Sequence, residues 1–249
     1  MRNWITVIAI FVSLLGYSQN EELFEKGNSA YQEGNYESAI QQYEKVLDNG
    51  ETSAELYYNL ANAHYKLNHI APSIFYFEKA LQLDPADKDI QNNIEFARNM
   101  AIDDIENVED RGLSQSLQNL IATFSSGAWA GIAIFFSVLF VVLFLLYYYS
   151  RRPLVKRLFL GVAALSMVFC IAAVVFGFQQ RAFVEDNQYA IIFSEEADVR
   201  DEPNLRGDAS FQLHEGTKAK ILEDYQEWTR IELANGAQGW TNSTNLRRL

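Results

Sequence analysis

Residues 127–149 and 158–178 contain no formally charged side chain, and only eight residues separate them. This constrains the fold more than any other feature of the chain. Each run is long enough to cross about 30 Å of hydrocarbon as a helix rising 1.5 Å per residue. Between them, residues 150–157 read SRRPLVKR, with four bases and Pro153 to break a helix. A short basic loop stays on the cytoplasmic side, so two crossings return the chain to the side it left. Tyr147, Tyr148 and Tyr149 end the first run where amphipathic rings favour the interface, and Trp129 lies near its other end. Apart from tyrosines and Cys170, neither run has an ionisable group. Charges inside a bilayer are kept for transport or sensing, so this pair reads as a plain hairpin anchor.

The first eighteen residues, MRNWITVIAIFVSLLGYS, combine basic Arg2, an apolar stretch from Trp4 to Leu15, and small Gly16 and Ser18 before a cleavage point at Gln19. That is the pattern of a secretory signal peptide. Both flanking segments, 19–126 and 179–249, are then expected outside the cytoplasm, on the outer side of a bacterial inner membrane. The net charge of −12 follows the same division. Residues 19–126 hold 19 acids against 7 bases and residues 179–249 hold 13 against 8, while Arg2 and the loop supply the remaining bases. Acidic surfaces repel phosphate backbones, which argues against nucleic acid as a partner. Cys170 is the single cysteine; it cannot close an intramolecular disulfide, and it reads as a small apolar filler.

Residues 20–53 and 54–87 align at a spacing of 34. Gly27 pairs with Ala61, Asn28 with Asn62, Tyr31 with Tyr65, Ala39 with Ser73, Ile40 with Ile74, Tyr43 with Phe77 and Leu47 with Leu81. The dipeptides Glu44-Lys45 and Glu78-Lys79 coincide as well. Each unit predicts two amphipathic helices, with turns at Gly34-Asn35 and Asn68-His69 and a stop at Asp84-Pro85. The stretch AELYYNLANAHYKLNHIAPSIFYFEKALQLDP resembles the tetratricopeptide (TPR) family at Tyr57, Leu60, Ala61, Phe77, Ala80 and Pro85. Ser73 stands for the usual alanine and His64 for the usual tyrosine. A further helix over about 88–102, with Ile90, Ile94 and Ala97 on one face, is expected to cap the stack, completing an array over 19–102.

The resemblance implies a concave groove lined by Phe24, Asn28, Tyr31, Tyr58, Asn62, Tyr65 and Asn92. Packing within the array would use the same aromatics. TPR grooves that hold a terminal carboxylate do so with lysines and an arginine; Phe24, Asp89 and Asn93 occupy the matching positions here. An extended peptide or a partner helix is the expected guest, its backbone bonded by asparagines. Residues 103–126 read as an acidic linker followed by an amphipathic segment. The acids from Asp103 to Asp110 lack the glycine and spacing of a calcium loop. Leu113, Leu117, Leu120, Ile121 and Phe124 recur at helical spacing, suited either to a membrane surface or to packing beneath the array.

From Tyr189 the pattern shifts to short alternating runs, with strands expected at 219–222 and 228–233 and a hairpin at Asn235-Gly236. Over 185–249, the segments ADVRDEPN, LHEGTKAKILED and WTRIELANGAQGW resemble the bacterial SH3-like (SH3b) family, which implies a small all-β barrel. Family members often bind peptidoglycan peptides, so Trp228 and Trp240 are candidates for a ligand face. Packing in or beside the core is the plainer role for both.

Chemistry-bearing motifs are missing from the sequence. It has no phosphate loop and no Cys-x-x-Cys, and none of His64, His69 and His214 has a metal-ligand partner at helical spacing. No catalytic residue, metal site or cofactor is therefore expected, and the chain reads as a binding protein. The fold class expected is a multidomain membrane protein: an all-α TPR solenoid, two transmembrane helices and a C-terminal SH3-like barrel. That order resembles the BatE family of bacterial aerotolerance (Bat) operons. The resemblance implies partners among von Willebrand A-type Bat proteins encoded beside a MoxR-type ATPase, and a scaffold role in envelope stress tolerance. The alternative is a peptidoglycan-binding or envelope-sensing module led by the barrel.

Overall fold

The computed structural model describes residues 19–105, 113–205 and 209–249; the expected signal peptide and most of the acidic run lie outside the described residues. The chain divides into two units. One joins the residues up to Val108 with Tyr189–Leu249, and the other is Glu109–Gln188.

The first unit opens with helices α1 over 19–32, α2 (Tyr36–Asp48), α3 (Ala54–Lys66), α4 (Ile70–Leu83) and α5 (Lys88–Arg98). The helix starts at Tyr36 and Ile70, and at Ala54 and Lys88, each lie 34 residues apart. Side chains cap three of the starts. Asn35 accepts from Ser38 N at 3.3 Å, Ser53 from Leu56 N at 3.0 Å, and Asp87 from Asp89 N and Ile90 N. Leu56, Leu60, Tyr43, Ile74, Phe77 and Ile94 fill the interior. Ser73 is fully buried where the repeat usually has alanine, and its hydroxyl donates to Ala61 O at 3.0 Å.

After α5 the chain leaves the helical path, and the unit is completed by an antiparallel β domain. Its strands are β1 (Tyr189–Ile192), β2 (Glu196–Val199), β3 (Phe211–His214), β4 (Lys218–Tyr225), β5 (Trp228–Glu232), β6 (Gln238–Asn242) and β7 (Leu246–Arg248). Five of them form one sheet in the order β6-β5-β4-β1-β7, and β2 pairs with β3 as a hairpin. A single bridge between Arg200 and Trp240 joins the hairpin to β6, so the hydrogen bonds link a sheet and a hairpin without closing a continuous ladder. Gly239 makes that approach feasible, because a Cβ there would collide with Val199 Cγ1 and Arg200 O. The Asn235-Gly236 signal marks a real hairpin, but the connection is longer than two residues. Gly236 alone has positive φ (85°), with Gly236 N bonded to Leu233 O and Leu233 N to Ala237 O.

The second unit contains α6 (Leu113–Ala122), α7 (Ser126–Tyr149) and α8 (Pro153–Asp186). Pro153 occupies the first turn of α8, where its missing N–H costs nothing. It begins the helix that the sequence expected it to interrupt. Lys156 and Arg157 thus belong to the first turns of α8, and Lys156 lies 4.8 Å over the Tyr147 ring. α7 and α8 pack through Trp129, Ala133 and Ala173, with Ser166 Oγ donating to Phe136 O at 2.8 Å and Cys170 Sγ to Ala133 O at 3.4 Å. Their outward side chains, among them Phe135, Val138 and Val168, are exposed. Both helices are long and apolar enough to cross a membrane.

Candidate functional site

The array places Phe24, Asn28 and Tyr31 on α1, Tyr58, Asn62 and Tyr65 on α3, and Asn92 on α5. All but Asn92 are half-buried; Asn92 is exposed. Tyr31 and Tyr58 are close enough to interact. Burial pushes the Tyr31 hydroxyl pKa up, and the Tyr36 and Tyr58 hydroxyls reinforce the shift. Two of the asparagines are already engaged within the array. Asn28 Oδ1 accepts from Tyr43 Oη at 2.8 Å and from Asn59 Nδ2 at 3.1 Å. Asn62 Nδ2 donates to its own helix at Tyr58 O, 2.9 Å away. Phe24 packs on Tyr43 with ring centres 5.8 Å apart. Part of this set is therefore engaged within the array itself.

Three further residues of these helices, Asn59, Asn93 and Phe96, stand outside the expected lining. Asn59 joins α3 to Asn28, and Asn93 Nδ2 donates to Tyr58 Oη at 2.6 Å, tying α5 to α3. Phe96 is 58% exposed on α5, whose Ile90, Ile94 and Ala97 are buried. The repeat carried the signal: Asn93 lies 34 residues after Asn59, and Phe96 lies 34 after Asn62.

Residues 27–68 match the family model described as TPR repeat, residues 54–87 that of the tetratricopeptide repeat, and residues 194–248 that of the bacterial SH3 domain. The chain thus carries TPR repeats and a bacterial SH3 domain. No curated protein matches it.

The two modules share an interface that no local pattern announces. Ile191 of β1 is fully buried in the apolar core of the array. Phe193 meets the edge of Phe75 at 5.7 Å, and the Arg247 guanidinium lies 4.6 Å over the Phe75 ring. Gly216, at φ 91°, brings its backbone against Ile70 and Ile74 of α4. Beside this apolar contact Glu78 is almost completely enclosed. Its Oε1 accepts from Arg98 at 2.7 Å and its Oε2 from Lys218 at 2.7 Å. Burial alone would raise the Glu78 pKa, but Lys218 and Arg98 outweigh it and hold the carboxyl below its usual range.

The segment after α5 makes a second tie. Asp103 accepts from His214 N at 2.7 Å and Thr217 Oγ1 at 2.5 Å, and contacts His214 Nδ1 at 2.8 Å. Its burial is offset by these bonds, and its pKa is lowered. Ile105 then packs against the apolar interior of the SH3 domain. His64 is buried on the same side of the array, stacked on Tyr76 with ring centres 5.5 Å apart; its Nδ1 lies 3.2 Å from His69 Nδ1 and its Nε2 has no partner. Burial, with His69 and Arg247 nearby, lowers its pKa to about 4.

On the SH3 domain, Trp228 and Trp240 stand on the outward face of the β5–β6 pair, because Thr229, Ile231 and Thr241 turn inward. Trp228 lines a pocket of about 320 Å3 together with Glu196, Asp198, Arg200, Gln212, Asn242 and Asn245. Trp240 instead meets Tyr225 edge-on at 6.4 Å.

Proposed function

We propose that this protein is a membrane-anchored scaffold of the bacterial envelope whose TPR groove holds an extended or helical segment of a partner. The observation that carries this reading is the division of labour between the faces of the array. The outer face of α4 is covered in cis by the SH3 domain, through Ile191, Phe193 and Gly216. The α1–α3–α5 side keeps half-buried Tyr31, Tyr58 and Tyr65 and exposed Phe96 for a guest. Such a face offers aromatic anchors and a few polar groups, the usual composition of a peptide site.

The docked modules also bear on topology. Segments on either side of α7 and α8 pack into one unit, so they lie in one compartment, which an even number of crossings provides. With the signal peptide and the basic loop, that compartment is the periplasmic or extracytoplasmic side of the inner membrane. Module order gives the protein a BatE-like place in an aerotolerance system, with von Willebrand A-type Bat proteins as partners. The test is capture from detergent extracts by the full-length protein. Tyr58→Ala/Asn62→Ala is expected to lose the partner retained by the parent; a double variant that keeps every partner removes the groove from the account.

The pocket beside Trp228 favours one second reading, recognition of a peptidoglycan peptide by the SH3 domain. Co-sedimentation of the full-length protein with purified peptidoglycan, lost on Trp228→Ala, would support it; no sedimentation of the parent would end it. The full chain is the right material, because Ile191 belongs to the array's core and a severed SH3 domain would expose it.

A further inference from the structure

Helix α6 meets the α7–α8 pair at a built corner. Trp129 is buried there, and its indole Nε1 donates to Ile121 O at 3.0 Å. This bond satisfies one of the carbonyls that every helix leaves unpaired at its C-terminus and ties the end of α6 to α7. Phe124 meets the edge of Trp129 at 5.3 Å, and Trp129 meets the edge of Phe176 on α8 at 5.2 Å. Among the described side chains of α6, Ile121 alone is buried. Leu117 and Leu120, three residues apart and so on one face, are 49% and 52% exposed, and Phe124 is 37% exposed.

The size and continuity of this face decide what covers it. Ten residues of helix are about 15 Å long, and one side of them presents on the order of 150 Å2. A stable protein interface takes roughly 800 Å2 from each partner, so a second copy seated here would be held by too little. At the end of this face Phe124 packs on the buried Trp129 of α7, which packs on Phe176 of α8, so the exposed leucines of α6 adjoin two helices long and apolar enough to cross a membrane. α6, reading LSQSLQNLIA, carries no charge, so apolar burial is what holds it in place, not attraction to anionic lipid.

We infer that α6 is an interfacial helix lying in the headgroup layer, with Leu117, Leu120 and Phe124 turned toward the acyl chains. This rests on the reading that α7 and α8 cross the membrane. The helix fixes the depth and rotation of the hairpin, as interfacial aromatics and amphipathic helices do.

Single cysteines at Leu120→Cys and Val138→Cys, each in a full-length Cys170→Ser background, would carry an environment-sensitive fluorophore in neutral phosphatidylcholine liposomes. Val138 is exposed near the middle of α7 and reports on crossing. The fluorophore at residue 120 is expected to shift to the blue and to be quenched more by a spin label near the headgroups than by one deep in the chains. Residue 138 should show the reverse, and replacing a third of the lipid by an anionic one should change neither. Deep quenching at 138 with an aqueous spectrum at 120 overturns the interfacial helix while leaving the anchor intact. Deep quenching at 120 would make α6 part of a span, and protection at 120 that disappears on dilution with unlabelled protein would make it a contact between copies; either result overturns the inference. Absence of deep quenching at 138 refutes the membrane anchor itself.

Discussion

Removing Lys218 should loosen the SH3 domain from the array by an amount set by the enclosure of Glu78. Each Glu78 oxygen is held by its own cation, Arg98 on α5 and Lys218 on β4, both at 2.7 Å. A charge-assisted hydrogen bond lost from a buried carboxylate costs about 1.5–3 kcal/mol. The Glu78 side chain is 6% exposed, but that of Lys218 is 35% exposed, so water recovers part of the loss. Lys218→Met is therefore expected to destabilise by about 1–2 kcal/mol. Glu78→Gln, which strands two cations, should cost about 2–3 kcal/mol. In a double-mutant cycle the pair should couple by about 1–2 kcal/mol. The assay is urea unfolding of the full-length protein in detergent micelles, followed by near-ultraviolet circular dichroism. Lys220→Met, two residues along β4, is the control and should stay within about 0.5 kcal/mol. Coupling below about 0.5 kcal/mol, with Lys218→Met no worse than Lys220→Met, would refute the docked arrangement.

Acid should weaken the protein in two stages. His64 is held neutral with its pKa lowered to about 4 from 6.5, so between those values the unfolded chain binds the extra proton. Stability then rises with pH across that window, by up to roughly 3 kcal/mol, and His64→Phe should flatten the profile between pH 6.5 and 4 in denaturant titrations. Glu78 and Asp103 have depressed pKa values; their contribution is complete above the unfolded values of 4.5 and 3.8 and is lost as pH falls below them, where Glu78→Gln should remove part of the slope. Gly216→Ala forces a side chain into positive φ and its Cβ to 2.9 Å from Ile70 and Ile74, so a loss of about 2–4 kcal/mol is expected in the same unfolding assay. Tyr58→Phe removes the hydroxyl that Asn93 bonds and should cost about 1 kcal/mol while weakening partner capture.

Local periodicity carried most of this fold into the sequence, and long-range packing hid the rest. The 34-residue spacing predicts the helices of the array because each repeat buries the same face of the same helix. It extends to Phe96 as well, 34 residues after Asn62, on a helix whose apolar Ile90, Ile94 and Ala97 alone suffice for a cap. The alternation around Trp228 reveals β5 and β6 because their inward residues, Thr229, Ile231 and Thr241, pack a core of their own. Docking leaves no such trace. Glu44-Lys45 and Glu78-Lys79 look identical in the two repeats, yet Glu44 is exposed and Glu78 is enclosed. What distinguishes them is their partners, Arg98 on α5 and Lys218, 140 residues away on β4. Ile191 likewise reads as one apolar residue in a strand, whichever core receives it. The length of α8 was hidden for another reason: residues 179–186 are too polar for an apolar run but contain nothing that ends a helix.

Labelling with a membrane-impermeant maleimide in intact spheroplasts puts the anchored, one-sided arrangement to the proof. The positions are Ser29→Cys on α1, Asn235→Cys in the β5–β6 turn and Ser150→Cys before the basic loop, each in a Cys170→Ser background. Residues 29 and 235 should label without permeabilisation, and residue 150 only after it. Labelling of residues 29 and 235 from opposite sides would contradict a docked array and SH3 domain held together on the outer face of the membrane.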